Sequence, residues 1–206
     1  MDSHLWSEAG DWFAANEEAQ TWAAHEPGCT WVRPMPAQAH AAAWSNGRML
    51  CVFSRPAGID PWLLGRTRML HPDINGPDGR LGAAIRAALL HSRLRAEALR
   101  QLPMAMLSRR ERRIRYLRWL TALMDRHGCR TIRSFLLHMQ CCVILQREDG
   151  MLIVPSRHER IEGWCCLPQE SALTLSPESG NGELGAALRQ GFARCIDDYG
   201  MRVRAG

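Results

Sequence analysis

Ile153-Val-Pro155-Ser-Arg157-His158-Glu159-Arg160-Ile161-Glu162-Gly163-Trp164 packs an imidazole, carboxylates, guanidinium groups and an indole into one short segment. His158 and Glu162 stand at i and i+4, a spacing that brings an acid and a base together or locks a turn under Trp164. Arg157 and Trp164 are residue types that anchor interfaces when they lie on a surface. The sequence leaves two readings open, a recognition patch and a packed turn, with Pro155 ending a strand just before it.

The second concentration of chemistry is cationic. Arg109, Arg110, Arg112, Arg113, Arg115 and Arg118 crowd one helix-like stretch, and every permanently cationic side chain in the protein is arginine. Cations in a first helical turn oppose the helix dipole at a cost of about 0.3 to 1 kcal/mol. An anionic partner accounts for their presence: nucleic-acid phosphate, an acidic protein or the chain's own acidic N-terminal stretch. The plainer reading is a solvated face, since no aromatic stacking platform accompanies the charge.

Other patterns carry less. Gly180-Asn-Gly182-Glu-Leu-Gly185 matches GxGxxG, but the chain after it is too short for the remaining βαβ unit and has no acidic residue at the ribose-reading offset. Helix capping and close packing explain the glycines better. Cys141-Cys142 and Cys165-Cys166 are vicinal pairs in apolar runs, and no CxxC or CxxH spacing folds two ligands onto a metal. GxSxG, HExxH, Walker and deaminase signatures are missing, so the sequence predicts no catalytic, cofactor-binding or metal residue.

The elements that would position these residues repeat. Asp78-Gly-Arg-Leu-Gly-Ala-Ala-Ile-Arg86 returns as Asn181-Gly-Glu-Leu-Gly-Ala-Ala-Leu-Arg189, and Leu70-His-Pro-Asp73 and Leu175-Ser-Pro-Glu178 precede the two copies. Asp78 and Asn181 stand where an N-cap belongs, and Leu81, Ile85, Ala88 and Leu89 share a helical face, as do Leu184, Leu188 and Phe192. Gly82 and Gly185 sit inside the first turns although glycine there costs about 1 kcal/mol against alanine. Keeping both predicts that another backbone approaches closely. Strands are expected at Met49–Ser54, Arg66–Leu70 and Ser171–Leu175, with a hairpin turning at Glu148-Asp149-Gly150. Ser108 to Glu111 fits a capping box for a helix carrying Ile114, Leu117, Leu120, Leu123 and Met124 inward and stopping at Gly128.

These pieces predict an α+β fold: two related strand-helix halves around a mainly antiparallel or mixed sheet, with an N-terminal helical extension. Residues 1–46 read as an acidic, tryptophan-bearing arm with a proline-containing linker from Glu26 to Gly47, and residues 47–200 as one duplicated domain. Glu17 and Glu18 give the arm its acidic centre. The composition, 46% hydrophobic and 23% charged over 206 residues with a net charge of +5, is globular. No run is apolar enough to span a bilayer, and the start MDSHLWSEAGDW lacks the cationic and apolar blocks of a signal peptide, so a cytoplasmic location with reduced thiols is expected.

The chain resembles the immunity proteins of bacterial contact-dependent growth inhibition systems, a family long catalogued as a domain of unknown function. The family's proline, histidine and tryptophan correspond to Pro155, His158 and Trp164, with Glu162 also matching. Its closing Leu-Gly-Ala-Ala-Leu-Arg and Arg-Cys correspond to Leu184–Arg189 and Arg194-Cys195, and Leu81-Gly82 and Ser92-Arg93 resemble its midchain helix. The resemblance covers Met49 to Cys195 and implies a cytoplasmic protein that binds and neutralises one cognate toxin C-terminal domain, a nuclease among the candidates, without catalysis or cofactor. Candidate partner-binding residues are Arg157, His158, Glu162, Trp164, Arg109, Arg112, Glu17 and Glu18, with Pro155, Gly82 and Gly185 structural. The alternative is a nucleic-acid-binding or regulatory protein that uses Arg109 to Arg118.

Overall fold

The computed structural model describes residues 38–56, 68–100 and 109–205, all within one compact unit, Pro34–Gly206. Its strands are β1 (Ala39–Ser45), β2 (Leu50–Ser54), β3 (Met69–Leu70), β4 (Gln140–Arg147), β5 (Gly150–Arg160), β6 (Gly163–Cys166) and β7 (Leu173–Leu175). Its helices are α1 (Asp78–Arg100), α2 (Arg109–Arg126), α3 (Ile132–Leu136), α4 (Asn181–Arg194) and α5 (Asp198–Ala205), and a short 3₁₀ turn covers Gln169–Ser171. The arm with Glu17 and Glu18, the start of the expected Arg66 strand and Ser108 lie outside the described residues.

The strands form one antiparallel sheet in the order β3-β2-β1-β4-β5-β6, with β7 also on β5. The duplication shows in that order. β1 and β4 pair at the centre, β2 and β5 flank them, β3 and β7 take the outer positions, and α1 and α4 follow β3 and β7. On one face, Ala41, Ala43, Val52, Ile144 and Ile153 pack against Leu81, Ile85 and Leu89 of α1 and Leu184 and Leu188 of α4. On the other, Trp44 of β1 meets Phe53 of β2 and Trp119 of α2, at ring-centroid distances of 5.7 and 5.2 Å.

The repeated phrases meet each other. A Cβ on Gly82 would overlap the Asn181 carbonyl, and a Cβ on Gly185 would overlap the Asp78 carbonyl. Each glycine therefore lets its helix lie on the other's first turn. The arginine ending each phrase crosses the seam: Arg86 Nε donates to Asn181 Oδ1 at 2.8 Å, and Arg189 Nε to Asp78 Oδ1 at 2.6 Å. Arg189 also binds the carbonyls of Ile74 and Gly76, at 2.7 and 2.6 Å.

Several sequence expectations change. Ala39–Ser45, expected within the linker, is the central strand β1; its run of alanines without a β-branched residue hides its strand character. Asp78 and Asn181 are not N-caps but the first residues of α1 and α4, since Pro77 C=O accepts from Arg80 N–H at 3.0 Å and Gly180 caps α4. Their side chains are thereby free to receive the two arginines. Pro155 does not end its strand. It is the last β5 residue opposite β4, and from Ser156 the strand pairs with β6. A proline lacks the N–H a continuous ladder needs, and here it falls between β7, opposite Met151 to Ile153, and β6, opposite Ser156 to Arg160. Ile114, expected inside, is 39% exposed, while Leu120, Leu123 and Met124 are buried as expected.

Candidate functional site

The residues singled out between Pro155 and Trp164 occupy the end of the sheet where β5 outruns β4. His158 faces Trp164 across the β5–β6 pair, and the two rings stack at 4.7 Å with 9° between their planes. A bulge between His158 and Arg160 widens the ladder there. The indole also meets Trp44 at 5.1 Å, and Trp164 Nε1 donates to Met139 C=O at 2.8 Å. One aromatic row thus runs from Tyr199 of α5 through His158, Trp164, Trp44 and Trp119 to Tyr116 of α2.

Two histidines share one carboxylate at this end. His138 Nδ1 lies 2.5 Å from Asp197 Oδ2, and His158 Nδ1 lies 3.4 Å from Asp197 Oδ1. Asp197 caps α5, its Oδ1 accepting the Gly200 N–H at 2.8 Å. His138 holds a left-handed backbone, φ 59°, and Gly200 leaves the space that a Cβ would take from His138 and Asp197. Burial raises the Asp197 carboxyl, but the His138 hydrogen bond and the Gly200 N–H outweigh it and hold the group below its usual range. Burial also lowers His158, only 1% exposed, against the opposing pull of the Ile161 carbonyl and Asp197. Glu162, in the β5–β6 turn, is pushed up to about 7 by burial, which its hydrogen bond with Tyr116 and the charge of Arg113 only partly offset.

The structure therefore brings His158 and Trp164 into one packed stack and ties Glu162 to α2. Arg157 is the exposed member, its side chain 45% accessible and its Nε 3.8 Å from Asp198 Oδ2. Arg109 and Arg112 lie on α2, and their side chains are outside the described residues. On the same helix Arg110 and Arg118 are exposed, one turn to either side of exposed Ile114. Pro155, Gly82 and Gly185 serve the strand changeover and the helix seam. Gly185 of the GxGxxG pattern is occupied by the Asp78 backbone.

Sequence reasoning missed His138, Asp197, Tyr199 and Gly200. Asp197-Asp198 ahead of a short helix is a readable cap signal. The left-handed turn at His138 has none. A shallow groove of about 430 Å³ lies apart from this end, between α1 and the segment after β3, floored by Ala83, Ala84 and Ala87. At its rim burial lowers His71 to about 4, with Arg126 and His127 adding to the shift, and His127 Nε2 is 3.3 Å from His71 Nδ1. Among the described residues no group of three or more His, Cys, Asp or Glu is placed to hold a metal ion, and no helix is long and apolar enough to cross a membrane.

Together these features define a small α+β domain, internally duplicated, whose polar side chains at the sheet end grip one another. Residues 39–195 match the family model of the CDI immunity protein, CdiI, and the chain belongs to that family. The match begins with β1, earlier than the Met49 suggested by the sequence. Immunity protein CdiI-YPIII of Yersinia pseudotuberculosis serotype O:3 (strain YPIII) is 31% identical over 173 residues, 75% of this chain and 96% of that protein. Among solved structures, a CdiA-CT/CdiI toxin and immunity complex from Yersinia pseudotuberculosis aligns with a TM-score of 0.59 and 28% identity over 76% of this chain and 97% of the matched one. A protein of unknown function from Neisseria meningitidis shares the fold, with a TM-score of 0.61 and 22% identity over 76% of this chain and 94% of its own.

Proposed function

We propose that this immunity protein neutralises one toxin domain in the bacterial cytoplasm by stoichiometric binding, without chemistry of its own, and that exposed arginines make the contact. The observation that carries the reading is where the family's pattern residues point. His158, Leu184 and Leu188 are buried, Pro155 lies inside the sheet and Trp164 is gripped by His158, Trp44 and Met139. Residues that share a pattern across the family thus build the scaffold, and recognition of one particular toxin falls to exposed side chains.

The exposed face of α2 suits that role. Arg110, Ile114 and Arg118 recur at i, i+4 and i+8, one apolar side chain between two guanidinium groups. Such a stripe fits an acidic patch with a small apolar centre, the charges setting specificity and association rate. Arg157 on β5 supplies a second anchor, and Arg109 and Arg112 add to the charge of α2.

Co-expression with a cognate CdiA toxin C-terminal domain tests the reading. Wild-type protein is expected to restore growth and to co-purify one to one. Arg110→Glu with Arg118→Glu is expected to weaken the complex tenfold or more, about 1.4 kcal/mol, with an unchanged melting temperature. An active toxin that is neither bound nor neutralised overturns the proposal. Salt-sensitive binding of generic nucleic acid through the same arginines would instead support the nucleic-acid reading.

A further inference from the structure

Cys195 is the first residue past α4, its N–H held by Phe192 C=O at 3.0 Å, and its Sγ lies 3.9 Å from the Sγ of Cys142 in β4. Cys142 is completely buried, whereas Cys195 is half-buried. Gly191 of α4 makes room for the inner sulfur, since a Cβ there would come within 3.1 Å of Cys142 Sγ. Both ends are fixed by backbone hydrogen bonds. Cys142 stands between Ala43 and Pro155 in the sheet. The segment after Cys195 is tied to β5 by Ile196 N–H to Ser156 C=O at 3.1 Å and His158 N–H to Ile196 C=O at 2.7 Å.

We propose that Cys142 and Cys195 form an oxidisable dithiol, in which Cys195 reacts with a hydroperoxide and Cys142 resolves the product to a disulfide joining β4 to the end of α4. A disulfide needs its sulfurs at about 2.05 Å, so the two sulfurs, 3.9 Å apart, must close by roughly 1.9 Å. The two thiols are unequal in access: Cys195 is partly exposed and meets the peroxide first, and Cys142 is buried behind it. Either sulfur can donate in the contact between them, and Cys195 Sγ also lies 3.3 Å from Cys141 C=O and 3.5 Å from Gly191 C=O; the contact holds Cys195 below the ordinary thiol range and Cys142 well above it. Burial pushes Cys51 and Cys141 up to about 12, and they remain thiols. The thiolate is the nucleophile. Cys195 sulfur attacks the peroxide oxygen, the O–O bond breaks, and a sulfenic acid forms with release of hydroxide. Cys142 sulfur then attacks the sulfenic sulfur, its proton leaves with the displaced hydroxyl as water, and the S–S bond closes. Two electrons pass from the sulfurs to the peroxide, and two thiols plus one hydrogen peroxide give one disulfide and two waters. The bridge closes a loop between positions 53 residues apart and fastens α4 to the sheet beside the segment that leads to Asp197.

Peptide mapping of the native full-length chain after a hydrogen peroxide dose, with remaining thiols alkylated, tests the assignment. The first cross-linked pair is expected to join Cys142 and Cys195. It should form about tenfold faster than thiol is lost at Cys129, as a favoured thiolate predicts, and dithiothreitol should reverse it. Cys142→Ser is expected to leave Cys195 as a sulfenic acid that dimedone traps. Cross-links through Cys141, Cys165 or Cys166 ahead of this pair, or sulfonic acid at Cys195 without a cross-link, overturn the proposal. The wild-type map decides it even where a variant fails to fold.

Discussion

The seam between α1 and α4 and the far end of β5 are held together by opposite means. At the seam, backbone lies on backbone twice over: Gly82 on Asn181, Gly185 on Asp78, with Arg86 and Arg189 reaching across in reciprocal directions. At the β5 end nothing is reciprocal. His158, Trp164, Asp197 and His138 form one asymmetric knot of rings and polar groups, and β2, the counterpart of β5 in the first half, stops at Ser54. The duplication thus supplied a close-packed scaffold whose strength lies in shape. The second half then added a polar terminus whose strength depends on protonation.

The sharpest break in that comparison is steric. Gly82→Val and Gly185→Val each drive a branched side chain into a backbone carbonyl and are expected to cost on the order of 3 kcal/mol each, read as denaturant midpoints. Gly79→Ala and Gly182→Ala, one turn away with open space at the Cβ, are expected to fall within about 1 kcal/mol of wild type. If the valine variants melt like the alanine variants, the backbone contact is not what joins the halves.

Trp164→Ala tests the other region. It strips the face from His158 and leaves Met139 C=O without its donor, and since the indole is only partly buried the expected loss is about 2–3 kcal/mol. Loss of near-ultraviolet circular dichroism should accompany it.

Acid and base separate the regions further. Burial holds His40, His71, His91, His127 and His158 below their ordinary value. The unfolded chain therefore takes up those protons first. Their contribution is complete above pH 6.5 and is lost as pH falls through the folded values, down to about 4 for His71. Glu162, raised to about 7, works in reverse: its contribution is complete below the ordinary carboxyl range and is lost as pH rises through about 7. With several histidines set against one carboxyl, stability is expected to fall steeply below about pH 6 and to slip slightly as pH rises through about 7, a tenfold change in proton affinity being worth about 1.4 kcal/mol. His158→Gln should flatten the steep limb and Glu162→Gln the slight one. Unchanged limbs in urea titrations of both variants would remove the link between the sheet end and pH.

The smallest effect belongs to the difference in charge between Asp78 and Asn181 at the seam. Asp78→Asn makes its side chain match Asn181 and removes the charge partner of Arg189; with both side chains over a third exposed, the loss should stay within about 1 kcal/mol. A larger loss would mean that the seam relies on charge more than on shape.

How much of this the sequence revealed follows the same division. The repeat was visible as letters, and the glycines inside its helices pointed to close backbone approach because nothing else offsets their conformational cost. The hairpin was legible from Asp149-Gly150, although Gly150 turns out to begin β5 and the turn proper is Glu148-Asp149. β1 was hidden by alanines that a central strand tolerates only because α1 covers them, and such tertiary cover leaves no local pattern. His138, Asp197 and His158 come from three separate elements, and a convergence of that kind depends on the fold alone. Of the residues carrying the family resemblance, those described prove to be mainly interior ones, which is why they spoke for the family before they spoke for a surface.

The most direct measurement of the central claim is hydrogen exchange of the full-length chain with and without its toxin domain. The account predicts a stable complex in which added protection falls on α2 around Arg110 to Arg118 and on β5 at Arg157, with the Gly82–Gly185 seam unchanged. Protection at the seam with none on α2, or no protection at all beside an active toxin, would contradict it.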